Sequence, residues 1–295
     1  MSTPTRTDAP DGRRYCNPEL VDAWPADADM GLKAGEAFSV TTILRTIGGG
    51  KSDALCGWAE KLTRKEMVAR AGEVLNRHNE TNDTYDPVTA NQLMSSINAS
   101  LPTKSFWWAE RDKAGDIGTA GHALVENNLR DQMGRLTKVT EVSTDNAGAF
   151  IMLDHFRQWR ELVEFEPTHV EQRLYSVTDR VAGTTDAIGT WINPDAGANP
   201  DKNRRVCVVD WKSSKGIYDE ARIQSVAYGE MAVEMDLIGP DHDALVVRLP
   251  KEEGLKTLTA VVGPDEQSQY LEAFHAARYL FAAMRLLPKQ KRGKK

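Results

Sequence analysis

The chain has 295 residues, of which 40% are hydrophobic and 27% charged, and a formal net charge of −6. That length supplies one large domain or two small ones with ample core, in the composition range of ordinary soluble globular proteins. No apolar run approaches the roughly 20 residues that span a bilayer, and an acidic balance confines nucleic-acid contact to a local basic surface or to metal ions held by carboxylates.

The N-terminal stretch MSTPTRTDAPDGRRYCNPEL has no apolar core of the kind a secretory signal needs. Residues 1–36 are rich in Pro, Asp, Thr and Gly, show no period, and are expected to form a flexible arm. AFSVTTIL (37–44) is a short β-branched segment, broken by GGG at 48–50. A helix is expected from Ser52, capped by Ser52 or Asp53, with Leu55, Trp58, Ala59, Leu62 and Met67 near one stripe. Further helices are expected over 87–98, 105–132 and 145–164; in the last, Phe150, Leu153, Phe156, Trp159 and Val163 make an amphipathic face.

The period then changes. THVEQRLYSV (168–177) alternates as a strand does, with Val170, Gln172, Leu174 and Ser176 on one side. VAGTTDAIGTWI (181–192) follows at hairpin distance, and RRVCVVDWKSS (204–214) is a third strand. The turn-rich loop 193–203 suits an insertion. A helix at 219–236, strands near 243–249 and 257–262, and a helix at 265–287 complete the order. The basic run KQKRGKK (289–295) is expected to be solvated. Helices followed by β-β-β-α-β and closing elements predict an α+β (mixed α/β) fold around one sheet. The expected divisions are an arm (1–36), a helical region (37–165), a core (166–288) and a tail (289–295). The three cysteines, Cys16, Cys56 and Cys207, form no CxxC pair, which argues against a disulfide framework or zinc ribbon and fits a reducing cytoplasm.

Acid and base positions gather at the ends of the β-rich elements. Asp210 and Lys212 stand two apart in VVDWK, so in a strand they share a face while Trp211 points away. A hairpin between the second and third strands brings Asp186 beside them. Two carboxylates about 4 Å apart repel by roughly 4 kcal/mol at an effective dielectric near 20, and a hard divalent cation, Mg²⁺ or Mn²⁺, turns that cost into binding. Upstream, DIGTAGHALVENNL (116–129) places His122 and Glu126 on one helix face; downstream, RIQSVAYGEM (222–231) places Gln224 and Tyr228 four apart.

The series GTxxH, GTTD, VVDWK and QxxxY, over about residues 118–228, resembles the RecB-like branch of the PD-(D/E)xK nuclease superfamily. FSVTTILRTI…ALCGWAEKL further resembles the SVTxIL…W segment of phage-encoded members related to CRISPR-associated RecB-like exonucleases. The resemblance implies a restriction-endonuclease-like core with a central mixed sheet flanked by helices, an N-terminal helical block that contributes His122, and a host-cytoplasmic setting. It implies His122, Asp186, Asp210 and the main-chain carbonyl of Trp211 as metal ligands. Lys212 then orients or activates the attacking water, and Gln224 and Tyr228 support the site and meet the DNA backbone. Glu126 and Glu171 are weaker candidates, for a supporting or second-metal role or as plain solvated carboxylates. Thr185 stands where the superfamily has its proline. The CRISPR-associated relatives hold an iron–sulfur cluster through one early and three late cysteines; with no cysteine after Cys207, no cluster is expected.

The implied activity is Mg²⁺- or Mn²⁺-dependent hydrolysis of DNA phosphodiesters by in-line attack of water, exonucleolytic, with weak sequence preference. Its setting would be phage-type DNA recombination, repair or replication. The substrate would be linear double- or single-stranded DNA, and a recombination or single-strand-annealing protein is a candidate partner. Phe106, Trp107 and Trp108 are expected to pack the helical block rather than to stack on bases. GGGKS (48–52) lacks the leading glycine of a phosphate loop, which falls on Arg45, so no ATP is expected. The competing readings are a catalytically silent nuclease fold serving as a DNA-binding or inhibitory module, and a small-molecule phosphoesterase.

Overall fold

The computed structural model describes residues 4–9, 12–47, 106–194 and 204–287, with isolated helical positions between 65 and 95. Apart from those positions, the helices expected from Ser52 and over 87–98 lie outside the described residues. So do GGGKS, Cys56, residues 195–203 of the expected loop, the basic tail and the side chains of Phe106, Trp107 and Trp108. The chain divides into two compact units, one of Met1–Gly48 with Gly118–Lys295 and one of Gly49–Ile117. The first holds the entire sheet.

That sheet has eight strands: β1 (Thr5–Ala9), β2 (Gly12–Cys16), β3 (Glu36–Ser39), β4 (Glu166–Ser176), β5 (Val181–Ile192), β6 (Arg204–Lys212), β7 (Asp243–Arg248) and β8 (Leu258–Val262). Five α-helices are described: α1 (Val40–Leu44), α2 (Phe106–Gln132), α3 (Ala147–Leu162), α4 (Asp219–Glu234) and α5 (Pro264–Leu286). The sheet is open and mixed, in the order β1-β2-β3-β5-β6-β7-β8, with β4 paired to β5. β3–β5 and β6–β7 are parallel and the other pairs antiparallel. The chain is therefore mixed α+β. Among the described residues no helix is long and apolar enough to cross a membrane.

Alternate residues of β6 face opposite layers. Cys207, Val209 and Trp211 pack with Val125 and Leu129 of α2 and Phe156 and Trp159 of α3. Val208 packs the other way, with Ala227 and Met231 of α4 and Phe274 and Phe281 of α5. The buried side chains of both layers supply most of the fold's hydrophobic stabilisation.

Two expectations change, and one segment divides. The segment expected as an arm instead forms the β1–β2 hairpin and buries Tyr15, Leu20 and Trp24 against Ala37, Tyr175 and Ala182. The β-branched segment AFSVTTIL divides between two elements: the strand ends at Ser39, whose side chain accepts the Thr42 N–H at 3.1 Å and starts α1. Finally, Val170 and Leu174 do not share a side of β4, since Val170 packs with the α2–α3 layer and Leu174 with the α4–α5 layer. Glu171, between them, has a left-handed φ of 51°, which breaks the strict alternation of an extended strand.

One buried histidine sets a pH dependence. His122 aside, His242 is fully inside, with Nδ1 3.1 Å from the Gly239 carbonyl and Nε2 buried with no hydrogen-bond partner. Burial lowers its pKa, against the opposing pull of the Gly239 carbonyl and the Asp243 and Glu230 charges. The folded state thus binds the proton less readily than the unfolded chain, so stability is intact above about pH 6.5 and falls as the pH drops below it. Urea unfolding at about pH 5 and about pH 7.5 should show a smaller acid-induced loss in His242→Leu than in the wild type.

Candidate active site

The site forms where the β5 ladder opens. Along one edge β5 pairs with β4 from Val181 to Thr190, with a shift in register between Pro167 and His169. On the other, β3 takes Val181 and Ala182 while β6 begins at Ala187, so residues 183–186 have no strand partner there. Backbone groups in such a gap must find other partners, and side chains supply them. Thr185 donates its hydroxyl to the Val209 carbonyl at 3.1 Å, and Asp186 Oδ2 accepts the Trp211 N–H at 2.6 Å. A strand residue turns its N–H and C=O to the same edge, so the Trp211 carbonyl is directed into this gap as well.

The gap collects the predicted residues. His122, on α2, places Nδ1 3.3 Å from Asp186 Oδ1. α2 comes this close to the end of β6 because residue 118 is glycine; a Cβ there would lie 2.7 Å from Ser213 Oγ. The Lys212 ammonium lies 2.5 Å from Asp210 Oδ2, a close ion pair on the one face of β6. Lys212 Nζ donates to Gln224 Oε1 at 3.1 Å, and Gln224 Nε2 donates to the Tyr228 hydroxyl at 2.7 Å. Trp211 turns the opposite way, into the rings of Phe156, Trp159 and Phe165.

Glu171 falls between Val170, opposite Ala187, and Gln172, opposite Thr185, and so lies across from Asp186. Glu126 is held by Arg130, whose Nε donates to it at 2.7 Å, and a second Arg130 nitrogen reaches the Val170 carbonyl at 3.4 Å. Both weaker candidates therefore border the gap.

Charges in this enclosure perturb one another. Burial raises Asp210 to about 6, with Asp186 adding to the rise and Lys212 opposing it. Burial, Asp186 and Glu126 raise Glu171 to about 8. Asp186 is also pushed up by burial, yet ends lowered because the His122 charge and hydrogen bond, Lys212 and the Trp211 N–H all favour its anion. Burial works against the charged forms of His122 and Lys212, but the carboxylates facing them outweigh it and raise both. Clusters whose pKa values are driven apart in this way gather at functional sites.

Among the described residues no group of three or more His, Cys, Asp or Glu side chains is arranged to hold a metal as it stands. Asp186 is engaged by His122 and Trp211, and Asp210 by Lys212. The donor set nonetheless fits a hard cation: two carboxylates, an imidazole and a main-chain carbonyl converge on one gap, and the only cation held against the buried Asp210 oxygen among the described residues is the Lys212 ammonium.

Sequence reasoning missed three contributors. Tyr15, from the β1–β2 hairpin, shares a hydrogen bond with Thr184 at 3.0 Å, and nothing in its polar surroundings marks it. The Thr185 hydroxyl closes the ladder to the Val209 carbonyl, a role that its place in GTTD does not announce. Arg130 was legible as the i,i+4 partner of Glu126. Gly183 is a fourth position with a clear demand, since a Cβ there would lie 2.3 Å from Cε1 of Tyr228. Gly183→Ala is expected to displace that ring, break its bond with Gln224 and cost about 1–3 kcal/mol of stability. Tyr228→Phe, which loses the hydroxyl alone, should cost less in the same urea titration.

Comparison with protein-family models gives no match to this chain, and no curated protein matches it either.

Proposed function

We propose that this protein is a metal-dependent deoxyribonuclease of the RecB-like PD-(D/E)xK type, with a restriction-endonuclease-like core, acting as an exonuclease in phage-type DNA recombination, repair or replication. The observation that carries this reading is the convergence of His122, Asp186, Asp210 and Lys212, backed by Gln224 and Tyr228, at the gap between β3 and β6 along β5.

Each residue has a task in phosphodiester hydrolysis. Asp186, Asp210, His122 and the Trp211 carbonyl would hold Mg²⁺ or Mn²⁺; an imidazole among the ligands makes Mn²⁺ an effective substitute. When bound, the ion supplies Lewis-acid stabilisation of charge at the phosphate and a more acidic water. Lys212 presents a fixed cation to the same phosphate, with its ammonium aimed by Asp210 on one side and Gln224 on the other. Tyr228 fixes the Gln224 amide, so the lysine keeps its direction when a substrate arrives. Asp210 and Lys212 project from a rigid central strand, which positions them more sharply than a loop would. Because such a site meets DNA through its backbone, sequence preference is weak.

Purified protein should degrade linear DNA in Mg²⁺ or Mn²⁺ and stop on addition of EDTA. A single labelled DNA end gives the polarity, and a covalently closed circle separates exonuclease from endonuclease. Asp186→Asn, with an unchanged far-UV spectrum, should lose the activity. Retention of DNA without cleavage in either metal would replace this reading with that of a silent DNA-binding module.

A further inference from the structure

A second concave surface lies apart from the gap in β5. It is a groove of about 430 Å³ between α3 and β8, and none of the residues assigned above to catalysis lines it. His155, Trp159 and Leu162 form the α3 wall; Thr257, Thr259 and Val261 form the other. The two walls are pinned together: Trp159 Nε1 donates to Thr259 Oγ1 at 2.9 Å, and His155 Nδ1 lies 3.2 Å from Thr257 Oγ1.

β8 is the last strand of the sheet. Among the described residues only β7 pairs with it, so its outer edge offers a row of backbone donors and acceptors to another strand. Natural edges are usually blunted by charge, proline or a bulge, and LTAVV has none of these. Instead Leu258 and Val261 are exposed on the strand, and Leu162 and Leu255 are exposed at the groove, Leu162 by 71%. Thr257, Thr259 and Val261 are alternate positions, so they share one face. A strand added along β8 would send every second side chain onto that same face, into the groove.

Charge specifies the occupant. The ionisable groups among the described lining residues are His155 and Lys256, with no carboxylate, in a chain whose net charge is −6. We propose that the β8 edge and the α3–β8 groove form a docking site for an extended acidic segment of another protein. The segment adds a strand to the sheet, seats a large apolar side chain beside Trp159 and Leu162, and places a carboxylate on Lys256. This does not depend on the nuclease reading.

The probe is a fluorescein-labelled peptide carrying one phenylalanine between threonines and valines, with an aspartate pair at one end. Anisotropy should rise saturably with the full-length protein, and amide exchange should slow within residues 258–262. Changing the peptide's phenylalanine to alanine, or its aspartates to lysines, should weaken binding about tenfold. Leu162→Asp and Lys256→Glu, both on exposed side chains, should do the same. No saturable binding, binding indifferent to these four changes, or slowed exchange outside β8 overturns the proposal. So does a peptide-free protein that doubles its mass and protects 258–262 by itself, which would make a second copy the occupant.

Discussion

Lys212→Met is expected to lower the rate of the proposed DNA hydrolysis by roughly 10²–10⁴-fold, the range lost when a positioned proton-transfer or charge-stabilising group is removed. It also strands a buried carboxylate. Asp210 has 5% of its side chain exposed and Lys212 28%, so breaking the pair is costly, about 3 kcal/mol, the lower end for buried pairs because the lysine keeps some solvent. The sign with pH follows from Asp210. Burial and Asp186 already raise it to about 6, and Lys212 is what opposes the rise. Without the lysine its folded pKa climbs further above the unfolded value, so the variant is least impaired in acid and loses stability as pH increases through the neutral range. Urea midpoints should therefore separate from the wild type more at about pH 8 than at about pH 5. Adding Asp210→Asn to Lys212→Met removes both charges and should recover most of the stability without restoring the proposed DNA hydrolysis. If stability stays low in the double variant at both pH values, the pair is not the source of the loss.

The second large effect is expected from Trp211→Ala. The indole meets Phe156 at 5.3 Å, Trp159 at 5.2 Å and Phe165 at 6.1 Å between ring centroids, each nearly edge to face. Truncation removes these contacts and leaves a cavity, at a cost of about 3–5 kcal/mol. Activity should fall as well, although Trp211's side chain points away from the gap, because the end of β6 loses the clamp that holds Asp210 and Lys212 in place. Trp211→Phe keeps an aromatic ring in the cluster and should recover most of both losses. Parallel urea titrations and DNA degradation assays on the two variants check this; equal losses would mean that the ring's packing does not set the strand's position.

The β-rich half was legible because period and turn residues agree there. VAGTTDAIGTWI is β5 residue for residue, and the strands around Asp210 and over 243–249 fall within two residues of β6 and β7. Two-residue spacing alone placed Asp210 and Lys212 together. The hairpin at the N-terminus was not legible: TRTDA and GRRYC are mostly polar, since only a few of their side chains, Tyr15 foremost, are buried. An outer pair of strands buries little and so leaves little periodic signal. Nor does a sequence announce where a ladder opens. That β3 and β6 share one edge of β5 and leave 183–186 between them is a property of the assembled sheet. So is the change of face at Glu171, set by one left-handed residue.

The bond from the Trp211 N–H to Asp186 gives the site an indicator of its own. A backbone amide at 2.6 Å from a carboxylate oxygen makes a short, charge-assisted hydrogen bond, and its proton resonance should stand well downfield of the ladder amides around it. Any event that changes the charge Asp186 presents to that amide, be it protonation, a cation or substitution of His122, should move that one resonance. The state of the gap can thus be followed in solution through a single backbone signal, in the unaltered protein and with no substrate present.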